Sequence, residues 1–505
     1  MEYLQHLLFY NPEQPFLFTS LSFWIFFTFV LGVFSLLYPY RQSRNGFLFA
    51  ASLFFYYKTG GFFVFLLLIS ILFNYFWALQ IEKQRKKTKR KIYLTLGVIL
   101  NLSLLLYFKY NYFLIDLCNT IFNTHWQVVD YLSALSNVLV GSDFTLDEII
   151  LPVGISFFTF QALSYIVDVY RKKIKAVHNF IDFGFYLSFF PQLVAGPIVR
   201  ASDFIPQLKQ HYQLSSKEFS LGLFLIINGL IKKMFISDYI SLQFVDRVFE
   251  NPSLYTGFEN WMAMYAYAIQ IYCDFSGYTD IAIGIAAILG FKLPINFNSP
   301  YKAKSISDFW HRWHISLSSW LRDYLYIPLG GNRKGHSRTY LNLLITMLLG
   351  GLWHGANFKF LVWGGIHGGS LALEKLYQQT PLAHNAKYAK TMRIISIILT
   401  FHIVCFAWIF FRASSLEVGF EMFNLMFTHI GWEYIPSIVA NYALPLAITA
   451  LGFTFHWLPY RIKAWYRFGF YKLPILGKMS ALLLVLLLIY QVQTSDLQAF
   501  IYFQF

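Results

Sequence analysis

Two stretches gather the polar and ionisable side chains of an otherwise apolar second half: "DFWHRWHISLSSWLRDYLYIPLGGNRKG" (308–335) and "LLGGLWHGANFKFLVWGGIHG" (348–368). Such groups are costly at membrane depth and usually face an interior cavity where they have a task. His354 is the sharpest candidate. It ends an apolar run, stands between Trp353 and Gly355, and has Asn357 close by. A neutral imidazole there could act as a general base, taking a proton from a hydroxyl as it attacks a thioester. His314, beside Arg312 and Trp313, is the second candidate. Against both stands the plainer reading that a lone buried histidine is more often structural, and the residues alone leave the two readings open.

Other chemistries find less support. His311 and His314 are spaced i, i+3 and could share a helix face, but there is one HxxH, no HExxH and no Cys/His cluster, so no metal is expected. Cys118, Cys273 and Cys405 are scattered, with no CxxC pair. GxSxG, the P-loop and a GxGxxG before a helix are all missing, which removes the usual signs of a serine nucleophile or of nucleotide hydrolysis. Asp274 and Asp280 interrupt the apolar "YCDFSGYTDIAIG"; the expectation is helix-to-helix hydrogen bonding or an ion pair with Arg312 or Arg322 rather than a catalytic carboxylate. "NRKGHSR" (332–338) reads first as a topology signal, and second as a phosphate dock using Arg333 and Lys334.

The elements that must position these groups are membrane helices. The chain has 505 residues, 57% hydrophobic and only 13% charged, too apolar for a soluble protein of that length. Spans are expected near 17–38, 46–58 with 61–81, 92–109, 149–169, 219–236, 257–290 (as two elements), 308–328, 339–356, 358–376, 393–412, 438–458 and 473–492. Gly, Pro and polar residues break 180–207 and 291–307, which read as re-entrant or interfacial pieces. The first span has no basic region before it and reads as retained, not as a cleaved signal.

A net charge of +15 does not call for nucleic acid, because the basic residues sit in short loops beside spans. "EKQRKKTKRK" (82–91), "RKKIK" (171–175), "NRKGHSR" and "RIKAWYR" (461–467) are therefore expected in the cytoplasm. From Tyr110 to Tyr170 there is no Lys or Arg, while Asp130, Asp143, Asp147 and Glu148 cluster, so that region is expected outside, as are both termini. The chain ends on "QAFIYFQF", which falls outside after the last span. By topology alone Tyr502 is an aromatic-belt anchor.

At this point the chain resembles a known family. The stretches "LPVGISFFTFQALSYIVDVYR" (151–171), "FFPQLVAGPIVR" (189–200), "DFSGYTDIAIGIAAILGF" (274–291), "NFNSPYKAKSISDFWHRWHISLSSWLRDYLYIPLGGNRKG" (296–335) and "GGLWHGANFKFLVWGGIHG" (350–368) are similar to the membrane-bound O-acyltransferases, in their bacterial alginate O-acetyltransferase-like branch. One departure is visible: the family more often has Arg where His311 stands. The resemblance implies an all-α polytopic membrane protein, roughly 11–14 membrane helices and re-entrant segments around a pinched central channel. It divides the chain into N-terminal membrane helices (1–148), a catalytic core (149–376) and C-terminal helices with the aromatic tail (377–505).

The resemblance also implies roles. His354 would be the catalytic histidine and His314 the second functional position, with Trp353, Trp313, Asn357, Asp274 and Arg322 along the channel. No cofactor is permanently bound; acetyl-CoA or an acyl carrier protein thioester in the cytoplasm would donate acetyl, in a bacterial cytoplasmic membrane and among its lipids. An extracytoplasmic SGNH-type partner would place it on a polysaccharide such as an alginate-like exopolysaccharide or a cell-wall glycan. The small membrane partner of teichoic-acid D-alanylation ends in a similar aromatic tail around a tyrosine, which makes Tyr502 a candidate acyl carrier. A phenolate, with a pKa of about 10, leaves more readily than an alkoxide. The rival readings are D-alanyl export and a non-enzymatic transporter or flippase, the latter weakened because no inverted repeat is evident.

Overall fold

Apolar runs become helices here because a bilayer leaves backbone amides no partner but their own chain. The computed structural model describes residues 8–11, 16–140, 148–194, 196–381 and 389–492. Among the described residues the regular structure is helical throughout, with no strand. Four helices are long and apolar enough to cross a membrane: Phe63–Lys83, Lys87–Phe122, Ser216–Glu250 and Thr391–Arg412. Two further pairs qualify only when joined across sharp bends: Trp432–Asn441 with Ala443–Trp457, at 85°, and Tyr460–Lys472 with Ile475–Leu488, at 111°. Leu21–Leu37 and Ile155–Tyr170 are shorter apolar helices.

The expected spans differ from this in three places. The stretch 257–290 is not two elements but one helix, Gly257–Ile288, started by a capping box in which Thr256 and Glu259 satisfy each other's amides. It is buried along most of its length, so its polar residues find protein partners and no break is needed. The stretch 308–328 is not a straight span. It is cut into Ile306–Trp310, Ile315–Leu321 and a π-helical turn, Arg322–Tyr326. The runs 438–458 and 473–492 are each one arm of a bent pair. The basic arm of the second, Tyr460–Lys472, has no buried residue and lies on the surface.

Close backbone approaches hold the core together. A Cβ on Gly229 would come within 2.5 Å of the Gly277 carbonyl oxygen, so Ser216–Leu230 and Gly257–Ile288 pack back to back there. That contact continues into the π-helical segment Ile231–Asp238 and brings Lys232 and Lys233 against the long helix. In the same way a Cβ on Gly364 would meet the Met347 carbonyl oxygen at 2.4 Å, which fixes the pair His336–His354 and Phe358–Tyr377. These paired helices and the broken segment 306–326 surround both candidate histidines.

Candidate active site

His354 is the last residue of its helix and is 3% exposed. Gly355 follows in extended conformation and ends the helix. The imidazole is boxed by aromatic rings: Trp353 and Trp363 at 5.0 Å and Phe411 at 5.1 Å, all edge to face. The carbonyls that end the helix lack intrahelical donors, as at every helix C-terminus. Here Lys109 Nζ donates to the carbonyls of Trp353 (2.8 Å) and His354 (2.9 Å), and the Tyr110 hydroxyl donates to that of Leu352 (2.7 Å). The Lys109 nitrogen, donating to both carbonyls, holds the turn that carries the histidine.

His314 is fully buried and lies against the same indole. Its ring is 6.0 Å from that of Trp353 and edge-on to Phe275 at 4.7 Å. Its backbone is unusual, with φ +42° and ψ +54°, a left-handed conformation that few non-glycine residues adopt. Asn296, from the irregular 291–305 stretch, fixes it. The Asn296 Oδ1 lies 3.3 Å from His314 Nδ1 and accepts from the Ser316 amide (3.0 Å) and hydroxyl (2.9 Å), while the Asn296 carbonyl accepts from the Ile315 amide (3.0 Å).

The other expected residues fall in different places. Trp353 touches both histidines and also packs on Phe157 and Phe160. Trp313 is core packing, stacked on Phe309 and against Trp408. Asn357 is exposed and caps the next helix by accepting from the Lys359 amide at 3.0 Å. Arg322 is half-exposed and paired with Asp323, which also binds Arg200. Arg333 and Lys334 are exposed in a loop tied down where Asn342 donates to the Gly331 carbonyl. Tyr502, with the rest of the tail, lies outside the described residues, as do Asp143 and Asp147.

Two expectations need correction. Asp274 pairs not with Arg312 or Arg322 but with Lys233, at 2.6 Å, and Lys233 also holds Asp238 at 2.6 Å. Arg312 is taken by Asp308 on its own segment, and Asp280 by Lys232. His311 and His314 share no helix face, because the first ends one short helix, exposed, and the second begins the next, buried. The glycines near His354 let the next helix approach closely: a Cβ on Gly355 would strike the Phe360 ring, and one on Gly351 the Phe360 carbonyl. Among the described residues no three His, Cys, Asp or Glu side chains come together as metal ligands.

The residues that the sequence reading passed over are Lys109, Asn296 and His367. Lys109 could have been noticed as a single cation inside the apolar run 92–122. Asn296 carries no local signal, since its role depends on a partner eighteen residues away. His367, buried at 4.7 Å from Trp363, stands in the quoted "WGGIHG".

The family model of the membrane-bound O-acyltransferases matches residues 49–419, well over half of the chain and both histidine segments. The chain belongs to that family. It is an O-acyltransferase and a multi-pass membrane protein. It is similar to the probable alginate O-acetylase of Pseudomonas aeruginosa, 41% identical over 396 residues that cover 78% of this chain and 71% of that one. It is also similar to the peptidoglycan O-acetyltransferase of Helicobacter pylori, 39% identical over 403 residues, with 74% and 72% covered. The teichoic acid D-alanyltransferase of Bacillus subtilis is more distant, 29% identical over 286 residues, with 52% and 69% covered.

Proposed function

We propose that this O-acyltransferase moves acetyl from a cytoplasmic thioester across the membrane for O-acetylation of a polysaccharide. One observation carries the reading: two buried histidines both lie against a single indole where a broken segment meets the end of a helix. The activities of the two relatives near 40% identity, alginate and peptidoglycan O-acetylation, support an acetyl group and a glycan. In this reading His354 takes the proton of the attacking hydroxyl as oxygen bonds to the thioester carbonyl. The tetrahedral intermediate collapses, the C–S bond breaks, and the leaving thiolate takes the proton back from the imidazolium. His314, held by Asn296 and lying against Trp353, orients the reacting groups.

The finer parts of the proposal are these. The protein lies in the bacterial cytoplasmic membrane with both termini outside, and the donor is acetyl-CoA or an acyl carrier protein thioester. The exposed Arg333 and Lys334 receive the donor's phosphates. Tyr502 accepts the acetyl as a phenyl ester and hands it to an SGNH-type partner outside. The rival D-alanyl export reading has the 29% relative in its favour, over about half of this chain.

Radiolabelled acetyl-CoA and a D-alanyl carrier, each given to the purified protein in proteoliposomes, separate these readings. Acetyl turnover without D-alanyl turnover is the expected result; the reverse, or neither, overturns it. With acetyl-CoA alone, one hydroxylamine-labile acetyl should appear on the C-terminal peptide, and none in Tyr502→Phe or His354→Ala. Full polysaccharide acetylation by Tyr502→Phe removes the relay and leaves the tail as an anchor.

A further inference from the structure

A cleft of about 460 Å³ opens where Leu21–Leu37 ends and Arg41–Gly60 begins. Residues 38–44 and 209–211 line it, and they bring Arg41, Arg44 and Lys209 to its wall, with His211, but no carboxylate. Arg41, Lys209 and His211 are exposed. Arg44 is different: it is 3% exposed, and its guanidinium is spread over neutral acceptors. Nε donates to Asn45 Oδ1 (3.1 Å), and the two terminal nitrogens donate to the carbonyls of Gln210 (3.3 Å) and Leu208 (3.0 Å). Among the described residues its link to a carboxylate is indirect, through Asn45, which donates to Asp182 at 2.8 Å. Each terminal nitrogen keeps one N–H uncommitted. A buried charge with no opposite charge against it is costly, so a guanidinium placed here calls for an anion.

The backbone adds to the same wall. Arg41–Gly60 starts from Tyr40 with no side-chain cap, and among the described residues the amides of Arg41, Gln42 and Ser43 have no acceptor. They form the positive end of a 20-residue helix. The surface beside the cleft indicates what kind of anion it meets. On Leu21–Leu37 the side chains of Ile25, Phe29 and Leu36 are exposed at helical spacing, one apolar stripe that runs toward the cleft. Tyr38 and Tyr40 follow it, both exposed and both lining the cleft, as aromatic residues do where the apolar bilayer meets the headgroups. A free anion has no use for the stripe, whereas a phosphate joined to acyl chains uses both.

We propose that this cleft binds an anionic membrane phospholipid, its phosphate held by Arg41, Arg44, Lys209 and the first amides of the helix, and its acyl chains laid along the exposed stripe of Leu21–Leu37. Basic pockets at the ends of membrane helices recognise anionic headgroups in this way. The charge selects the lipid. A phosphodiester with a glycerol headgroup brings one negative charge to the three cations, while an ethanolamine headgroup adds an ammonium that they repel.

The test titrates dioleoylphosphatidylglycerol or dioleoylphosphatidylethanolamine into the full-length protein in detergent. Native mass spectrometry reads bound lipid, and the melting temperature rises with occupancy of a site on the folded state. The double variant Arg41→Gln with Lys209→Gln alters only exposed side chains and leaves Arg44, whose bonds also hold the 208–210 carbonyls, in place. A control pair, Arg85→Gln with Lys86→Gln, removes the same charge from exposed positions of another basic loop. The expected result is an affinity for phosphatidylglycerol that falls roughly tenfold or more in the first double variant and stays near wild type in the control, with the wild type preferring phosphatidylglycerol to phosphatidylethanolamine by a similar factor. An equal fall in both double variants reduces the effect to the attraction of any basic surface for anionic lipid and overturns the site, as does equal binding of the two lipids. Stabilisation by sodium phosphate that matches the lipid's puts a soluble anion in the cleft and overturns the lipid assignment.

Discussion

His354 and His314 both lie against Trp353 and are held in opposite ways. His354 ends a regular helix whose last carbonyls are tied by Lys109 and Tyr110. His314 begins a helix from a left-handed backbone that Asn296 keeps in place. A regular element presents its last side chain with little strain, so substitution there changes mainly the side chain. At His314 the backbone and the side chain are one arrangement, and a substitution changes both. Loss of activity therefore means different things at the two sites, and the experiments must separate them.

The largest effect is expected at His354. His354→Ala should lower acetyl transfer by about a hundredfold or more, the usual scale for loss of a general base, while the melting temperature falls little. Near-normal transfer by that variant breaks the comparison at its first term. At His314 the same assay needs three substitutions. His314→Asn tolerates the left-handed backbone, and His314→Gly relieves a strain of about 1–3 kcal/mol, whereas His314→Ala keeps the strain and loses the ring. If the imidazole matters, all three lose transfer while Asn and Gly melt above Ala. If Asn or Gly transfers normally, the ring is dispensable and the backbone is what counts.

Smaller effects should follow at the two holders. Asn296→Ala removes the acceptor for the Ser316 amide and hydroxyl inside the core, which should cost about 1–3 kcal/mol of stability and lower transfer roughly tenfold. Lys109→Met removes two hydrogen bonds from the turn that carries His354 but leaves the helix itself intact. Its loss of transfer should be smaller than that of Asn296→Ala, and Lys109→Arg should restore part of it. A larger loss in Lys109→Met would mean that His354 is the more fragile of the two.

What was legible in the sequence follows the same division. Apolar runs of bilayer length marked most of the helices, and the "WHG" and "RWHIS" stretches marked both histidines, because a polar group in an apolar run is visible locally. The break at 311–314 was not, since the stretch is apolar enough to read as a span and its left-handed residue is histidine rather than glycine. The partner of Asp274 was missed for a related reason. Arg312, Arg322 and Lys233 all lie roughly forty residues from Asp274, so sequence distance did not choose among them; the close contact of Gly229 and Gly277 brings Lys233 to it. Bent pairs such as Ala443–Trp457 with its neighbour have the composition of ordinary spans, and hydropathy does not reveal a turn of 85°.

The smallest effect tests the residue on which the two sites are most easily confused. Asn357 lies three residues after His354, and its proximity made it a channel candidate. Yet it is exposed, and its side chain accepts from the Lys359 amide at the start of the next helix. As a cap it should behave as caps do: Asn357→Ala costs about 1 kcal/mol, and Asn357→Asp or Asn357→Ser, which cap as well, costs little. Transfer should be near normal in the capping variants, with any deficit in Asn357→Ala tracking its lower melting temperature. A residue that touches substrate would give another pattern, because neither Asp nor Ser reproduces the amide's paired donor and acceptor. If Asn357→Ser melts like the wild type but transfers tenfold more slowly, the carboxamide acts on the substrate, and the end of the His354 helix is then followed by a second functional group that the cap geometry conceals.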